Sequence, residues 1–244
     1  RTASVLSPWT ATWIDPACCG CLPDTQCSDS TSSVALAIEC CRGDRGAVAL
    51  AKHKPPPCSG FVLDLVKAFS RLPRAAFEGL QKHWFQLAQM DMWLSFLSLQ
   101  QRRFKLQGAM GPAFTSNCGC AEGDAISPLS MAWISHLWIG YLRKVATVDL
   151  NNASFQAFCY ADNWQALTQS PRNIRALLTA SAEFCRQMRM TLAPQKCWVW
   201  SAEPKQRDAL FDQEWIDSRK FHQQHLELKA QSSSKTSADH IFHD

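Results

Sequence analysis

The chain has no apolar run long enough to cross a membrane, no internal repeat and no strong excess of either charge. Its longest apolar stretch, Met131 to Leu142, is interrupted by Ser135, His136 and Gly140, and it falls short of the roughly 20 apolar residues that a spanning helix needs. No transmembrane segment is expected. The start, Arg1 to Trp13, lacks a basic end followed by an apolar stretch and a small-residue cleavage site, so secretion is not expected either. It also lacks an initiator Met, which suggests a fragment of a longer chain. A formal charge of +4 is too mild to separate a nucleic-acid binder from an ordinary protein.

Cysteine is not scarce: there are 12. In a chain of this length without a secretory signal, free buried thiols are favoured over a disulfide framework. Cys18 and Cys21 form a C-x-x-C, yet structural zinc needs a second pair. Cys27, Cys40 and Cys41 have no regular knuckle spacing, and His222 and His225 lie far downstream. A Cys-rich zinc interaction module is therefore only a distant expectation.

What is present is an ordinary apolar content, 46% of 244 residues, enough to bury a sizeable core. Residues 1–29 read as irregular, after which the Ser28 to Ser33 run offers N-caps for a helix through Val34 to Glu39 that stops near Gly43. Gly60 to Leu65 reads as a strand apolar on both faces, as in the middle of a covered sheet. Helical spacing follows over Pro73 to Gln89 and Met90 to Gln100, then a short strand over Arg103 to Gln107, and a long apolar helix opened by Ser127-Pro128. Ser154 to Tyr160 and Trp164 to Leu167 read as a hairpin turning at Asp162-Asn163. An amphipathic helix over Pro171 to Met190 and a last strand over Lys196 to Ser201 complete the pattern, and beyond Pro204 the chain turns polar. The order predicts an α+β fold, an antiparallel sheet covered by helices on one face. Trp84, Trp93, Trp133 and Trp138 fall at helical spacing and are expected in the core.

Two acids stand out. Asp64 is alone inside the apolar run Phe61 to Phe69, and Asp162 sits between two β-type runs. Carboxylates at neighbouring strand ends suit a pair of Mg²⁺ ions held about 3.5–4 Å apart for phosphoryl transfer. Basic residues gather at Arg102-Arg103-Phe104-Lys105 and at Arg143-Lys144, and recur at Arg172, Arg175, Arg186 and Arg189, while acids are sparse between Asp91 and Asp124. A phosphate-contacting surface and a plain solvated face both fit that distribution.

Four segments then resemble, in order, the palm motifs of reverse transcriptases, most closely of the non-LTR retrotransposon type. Asp64-Leu65-Val66-Lys67-Ala68-Phe69-Ser70-Arg71-Leu72-Pro73-Arg74 resembles motif A, Gly119-Cys120-Ala121-Glu122-Gly123-Asp124-Ala125-Ile126-Ser127-Pro128-Leu129 motif B, Tyr160-Ala161-Asp162-Asn163 motif C, and Leu192-Ala193-Pro194-Gln195-Lys196-Cys197 motif D. The resemblance implies a polymerase palm with a ferredoxin/RRM-like sheet over residues 59–202, a partial fingers-like region over 1–58, and a polar tail, helical or disordered, over 203–244 with the thumb largely absent. It implies RNA-directed DNA synthesis: an RNA template, a DNA primer, dNTP substrates and two Mg²⁺ (or Mn²⁺) ions, with no membrane partner and a nuclear or cytoplasmic location.

The same resemblance implies roles. Asp64, Asp162 and the Leu65 carbonyl would hold metal, and Lys196 would protonate the departing pyrophosphate, although an isolated lysine is more often a solvated surface group. Phe69 would stack under the incoming sugar and reject a 2′-hydroxyl, the alternative being a core Phe at a strand-to-helix corner. Gly123 would let backbone approach the nucleotide, with Glu122 and Asn163 beside the substrate, and Arg102, Arg103 and Lys105 would touch the duplex backbone. Three positions depart from the family pattern: Asn163 replaces the second acid of motif C, Glu122 a glutamine, and Ser70 the second acid of motif A. Asn163 keeps an oxygen donor but removes a charge, and Glu122 sets a carboxylate near an anionic substrate. The alternative reading is a truncated, inactive retroelement remnant that retains at most nucleic-acid binding.

Overall fold

A computed structural model describes residues 2–20, 22, 24–42, 58–121, 123–150 and 153–201. In chain order these form α1 (Thr2–Ala11), β1 (Cys18–Cys19), α2 (Cys27–Arg42), β2 (Ser59–Leu63), α3 (Ala68–Arg71) and α4 (Arg74–Leu80), which runs on into a π turn (Gln81–Phe85). Next come α5 (Ala88–Leu99), the two-residue strands β3 (Gln101–Arg102), β4 (Lys105–Leu106), β5 (Ala109–Met110) and β6 (Phe114–Thr115), and the long α6 (Ser127–Val148). The hairpin β7 (Phe155–Tyr160) and β8 (Asn163–Thr168), then α7 (Pro171–Gln187), a 3₁₀ turn (Pro194–Lys196) and β9 (Trp198–Ser201) follow.

The main sheet has the order β1-β7-β8-β2-β9. β7, β8, β2 and β9 are antiparallel neighbours, and only β1 is parallel, to β7. Without β1, and with the stretch from α3 to β6 as an insertion between β2 and α6, the succession β2-α6-β7-β8-α7-β9 is the β-α-β-β-α-β arrangement of a ferredoxin-like sheet. The expected α+β class and antiparallel sheet are what the chain adopts.

The core follows from the periodicities. β2 is buried at every position, and its Phe61 and Leu63 join Trp164 and Ala166 of β8 in the main core under α6 and α7. α7 buries Ile174, Leu177, Leu178, Phe184 and Cys185 and exposes Arg175 and Arg186, an apolar stripe opposite a polar one. Helices are not confined to one face, however. Val34 and Ile38 of α2 cover Leu167 and Trp200 from the other side in a smaller cluster.

Leu6, Ile14 and Cys18 sit in the same main core as the strands. Residues 1–29, expected to be irregular, therefore contain a helix: tertiary burial of Leu6 and Thr10 overrides the interruption by Pro8. α2 starts at Cys27, ahead of the serine run, with Asp29 accepting the Gln26 backbone N–H at 2.7 Å. The helix expected over Pro73 to Gln89 is broken at Gln86, which adopts φ 48° after the π turn. The extra residue of a π turn rotates the helix face, so Phe85 points inward and Trp84 is 65% exposed, against the expectation of a core tryptophan. Trp93, Trp133 and Trp138 are buried as expected. The tail beyond residue 201 and the C-x-x-C partner Cys21 lie outside the described residues.

Candidate active site

The register of β2 against β8 sets the geometry. Leu63 pairs with Trp164, so one further step brings Asp64 level with Asn163 and the next brings Leu65 level with Asp162. Burial continues through Asp64, 9% exposed, and Leu65, 3% exposed, so the carboxylate stands inside the buried run rather than beyond it. Its neighbour across the strand is the hairpin tip.

The tip itself is offset by one residue from the sequence expectation. Tyr160 and Asn163 are paired, so the turn residues are Ala161 and Asp162, and Asn163 is the first residue of β8. Ala161 takes the left-handed conformation, φ 49°, one that an L-residue adopts only with support. The support is a relay: the buried Trp164 indole N–H donates to Ser135 Oγ at 2.9 Å, and the Ser135 hydroxyl donates to the Ala161 carbonyl at 3.4 Å. Ser135, the residue that interrupts the apolar run of α6, thus ties the acidic turn to the longest helix. Trp164 also stacks on Trp138 at 4.9 Å and 18°, which fixes the indole that begins the relay.

Asp64 is held from the other side by the segment resembling motif D. Ala193 N–H donates to the Asp64 carbonyl and Val66 N–H to the Thr191 carbonyl, both at 2.8 Å, flanking a Leu65–Leu192 bridge. In an antiparallel pair of this kind the bridged residues turn their own N–H and C=O away from each other. The Leu65 carbonyl therefore points from Leu192 toward the hairpin side. The Asp64 N–H lies 3.5 Å from Cys197 Sγ, a buried thiol pushed up to about 11 chiefly by that burial.

Lys196, in the 3₁₀ turn, brings Nζ to 3.4 Å from Asp64 Oδ2. The lysine side chain is 64% exposed, so the pair is solvent-screened and its net stabilisation small. Burial raises the Asp64 carboxyl above its ordinary range; Lys196 opposes that shift, and the nearby negative charge of Asp162 adds to it. Asp64, Asp162 and Lys196 thus form one electrostatic cluster, with Asn163 beside it. Among the described residues no group of three or more His, Cys, Asp or Glu side chains stands together.

The segment resembling motif B packs alongside. Cys120 N–H donates to the Phe69 carbonyl and Gly119 N–H to the Leu72 carbonyl, both at 2.8 Å. Gly119 has φ 76°, and a Cβ there would stand 2.2 Å from the Ser70 carbonyl oxygen. Close approach thus belongs to Gly119. Gly123, expected to serve that role, has φ 89° but open space around it, so its need for glycine is conformational. Phe69 is half-buried and packs against the main core, which fits the bland alternative as well as the gate. Glu122 lies outside the described residues.

Arg74 is the feature that reading the sequence assigned no role. The residue is 6% exposed, and its guanidinium donates to the carbonyls of Gly119 (2.9 Å), Leu97 (2.7 Å) and Ser116 (2.5 Å). One side chain thereby clamps the helix after Asp64 to the end of α5 and to the approach of motif B. Its Nη2 has no partner among the described residues, and burial lowers its pKa. The available signal was its place at the end of the segment resembling motif A, ahead of the apolar spacing Ala76, Phe77 and Leu80.

Comparison with known proteins places these features in context. The family described as reverse transcriptase (RNA-dependent DNA polymerase) matches residues 5–229. Among solved structures, the telomerase of Candida tropicalis in complex with a TWJ fragment of telomeric RNA is similar in fold, with a TM-score of 0.50 and 12% identity over 71% of this chain. The chain spans 33% of that structure. No curated relative matches.

Proposed function

The chain belongs to the reverse transcriptase (RNA-dependent DNA polymerase) family, and from that premise we propose that it is the polymerase palm of a retroelement of the non-LTR type, extending a DNA primer on an RNA template. The observation that carries the reading is the convergence of Asp64, Asp162 and Lys196 at the end of the central strand. Two divalent ions suit the donor set. The oxygens of Asp64 and Asp162 and the Leu65 carbonyl are hard ligands for Mg²⁺ or Mn²⁺, and a buried carboxylate beside a second one is relieved by a cation. Bound there, such ions supply activation of the primer 3′-hydroxyl and neutralisation of the triphosphate.

The chain's own groups carry the remaining work. The Trp164–Ser135–Ala161 relay holds the Asp162 turn in place, and the Ala193 and Cys197 contacts hold the Asp64 backbone. Lys196, released from Asp64, donates a proton to the leaving pyrophosphate, and its ammonium offsets the charge that develops there. Phe69 lies under the incoming sugar. Residues 1–58 act as a partial fingers region, and 59–202 as the palm.

Primer extension on a poly(rA)/oligo(dT) template with Mg²⁺ or Mn²⁺ tests this. Incorporation by the full chain that disappears in Asp64→Ala and Asp162→Ala supports it; no incorporation above those variants overturns it. A second reading, an inactive remnant that keeps nucleic-acid binding, is favoured by one feature. Asn163 stands where a further carboxylate would complete the donor set, and the described residues offer no third acid. Binding of template-primer without extension selects that reading.

A further inference from the structure

Between α5 and the Arg74 clamp the chain leaves the body of the fold as a narrow arm. β3 pairs with β6 and β4 with β5, and neither ladder joins the main sheet. Gln107 and Gly108 turn the tip, with φ of 48° and 87°, the primed geometry that matches strand twist. Such an arm buries little.

Its composition is one-sided. From Met92 to Ala121 there is no Asp or Glu, while Arg102, Arg103 and Lys105 are all on the arm. Among the described residues none of the three has a carboxylate at ion-pair distance. Interleaved with them are Phe104, 74% exposed, and Phe114, 38% exposed, whose rings stack on each other at 5.0 Å and 21°. Phe114 is directly opposite Arg102 in the ladder. Leaving a stacked aromatic pair in water forgoes the burial that normally rewards it, so the platform needs an occupant.

We propose that this arm is a binding site for single-stranded nucleic acid, with an unpaired base stacked on Phe104 and the three cations on the adjoining phosphates. Aromatic rings interleaved with unpaired positive charge fit that ligand class, because every base offers a π face and every linkage a negative charge. A second copy of the chain fits less well, since two arms carrying only positive charge repel each other. The root of the arm is locked to the candidate active site: Arg74 bonds Leu97 and Ser116 on its two flanks, and Cys120 beyond it bonds Phe69. A strand held on the arm is thereby kept at a fixed relation to the segment that follows Asp64. The inference rests on the polymerase reading only in naming that strand the template.

Fluorescence anisotropy of the full chain with a labelled oligoadenylate RNA, the matching DNA, and a blunt duplex tests it. Phe104→Ala, at an exposed position, should weaken both single strands by about tenfold, the order of one lost stacking contact, and leave the blunt duplex within about twofold. Phe104→Trp should restore binding. Arg103→Ala should weaken all three ligands and reduce the salt slope by about one. Unchanged single-strand binding in Phe104→Ala overturns the site, and so does a dimer in sedimentation that Phe104→Ala dissolves. Selective weakening in a chain that extends no primer keeps the arm and removes the polymerase reading; extension with unchanged binding does the reverse.

Discussion

Asn163 decides how strongly the candidate site holds cations. It is half-buried at the start of β8, level with Asp64 in the extended register, so Asn163→Asp adds a third carboxylate beside Asp64, which burial chiefly and Asp162 in addition already raise. The metal-free variant should melt below the parent, since like charges are brought together. Its Mn²⁺ affinity by calorimetric titration should rise about tenfold, because divalent affinity follows ligand charge; an unchanged titration rejects the role given to this residue. A different residue governs acid stability. His136 accepts the Asp15 backbone N–H on Nδ1 at 3.0 Å, while Asp15 is ion-paired to Arg143. Burial lowers the pKa of His136 below its ordinary 6.5, with Asp15 opposing and Arg143 reinforcing the shift. For a depressed folded pKa the stability is fully present above the unfolded value and is lost as pH falls through the folded one. Melting temperature should therefore drop as pH falls below 6.5, and His136→Gln, which keeps an acceptor without a titration, should flatten that dependence. Equal slopes in parent and variant would assign the acid loss elsewhere.

Among the elements, the arrangement depends most on the polar clamp between α4, α5 and the approach to motif B. Arg74→Met keeps the aliphatic stem but strips three carbonyls of their donor. Chemical denaturation should show a loss of roughly 3 kcal/mol, the scale of buried carbonyls left unsatisfied, and a loss under about 0.5 kcal/mol would mean that water replaces the guanidinium. This clamp was invisible to periodicity because a buried arginine reads as a surface residue. What periodicity did reveal were elements whose burial is simple: β2, apolar on both faces; α7, with its single stripe; and the hairpin around Asp162. Errors arose where one residue's context decided the outcome. The hairpin turn shifted by one because Ser135 supports Ala161 in the left-handed region, and the π turn exchanged Trp84 for Phe85. Lys196, expected at the start of a strand, lies in a 3₁₀ turn instead, and from there it reaches Asp64. The carboxylate pair was legible because solitary acids in apolar runs are costly; the partners that orient it were not, since serine, cysteine and backbone groups carry no distinctive spacing.

At the scale of the molecule, the question is whether the first 58 residues fold with the sheet or beside it. Leu6, Ile14 and Cys18 share one core with Trp133, Trp164 and Cys185, and Trp133 Nε1–H donates to Thr10 Oγ1 at 3.1 Å across that boundary. β1 adds its two residues to β7 by placing Cys18 opposite Cys159. A core continuous across two segments unfolds as one unit. Cysteine reactivity reads this directly: Cys27 is exposed and Cys118 partly so, whereas Cys18, Cys159 and Cys185 are buried, and burial raises the thiols of Cys159 and Cys185. Pulsed alkylation under native conditions, resolved by peptide mass, should label Cys27 first and Cys118 next. Cys18, Cys159 and Cys185 should follow together, with one common opening free energy equal to that from denaturation. Faster labelling of Cys18 alone would make β1 and α1 a separable cover on the sheet edge. In that event a shorter chain beginning near Cys58 would be expected to retain the Asp64–Lys196 pair but to loosen the Asp162 turn, whose Ala161 N–H donates to the Cys19 carbonyl at 3.4 Å.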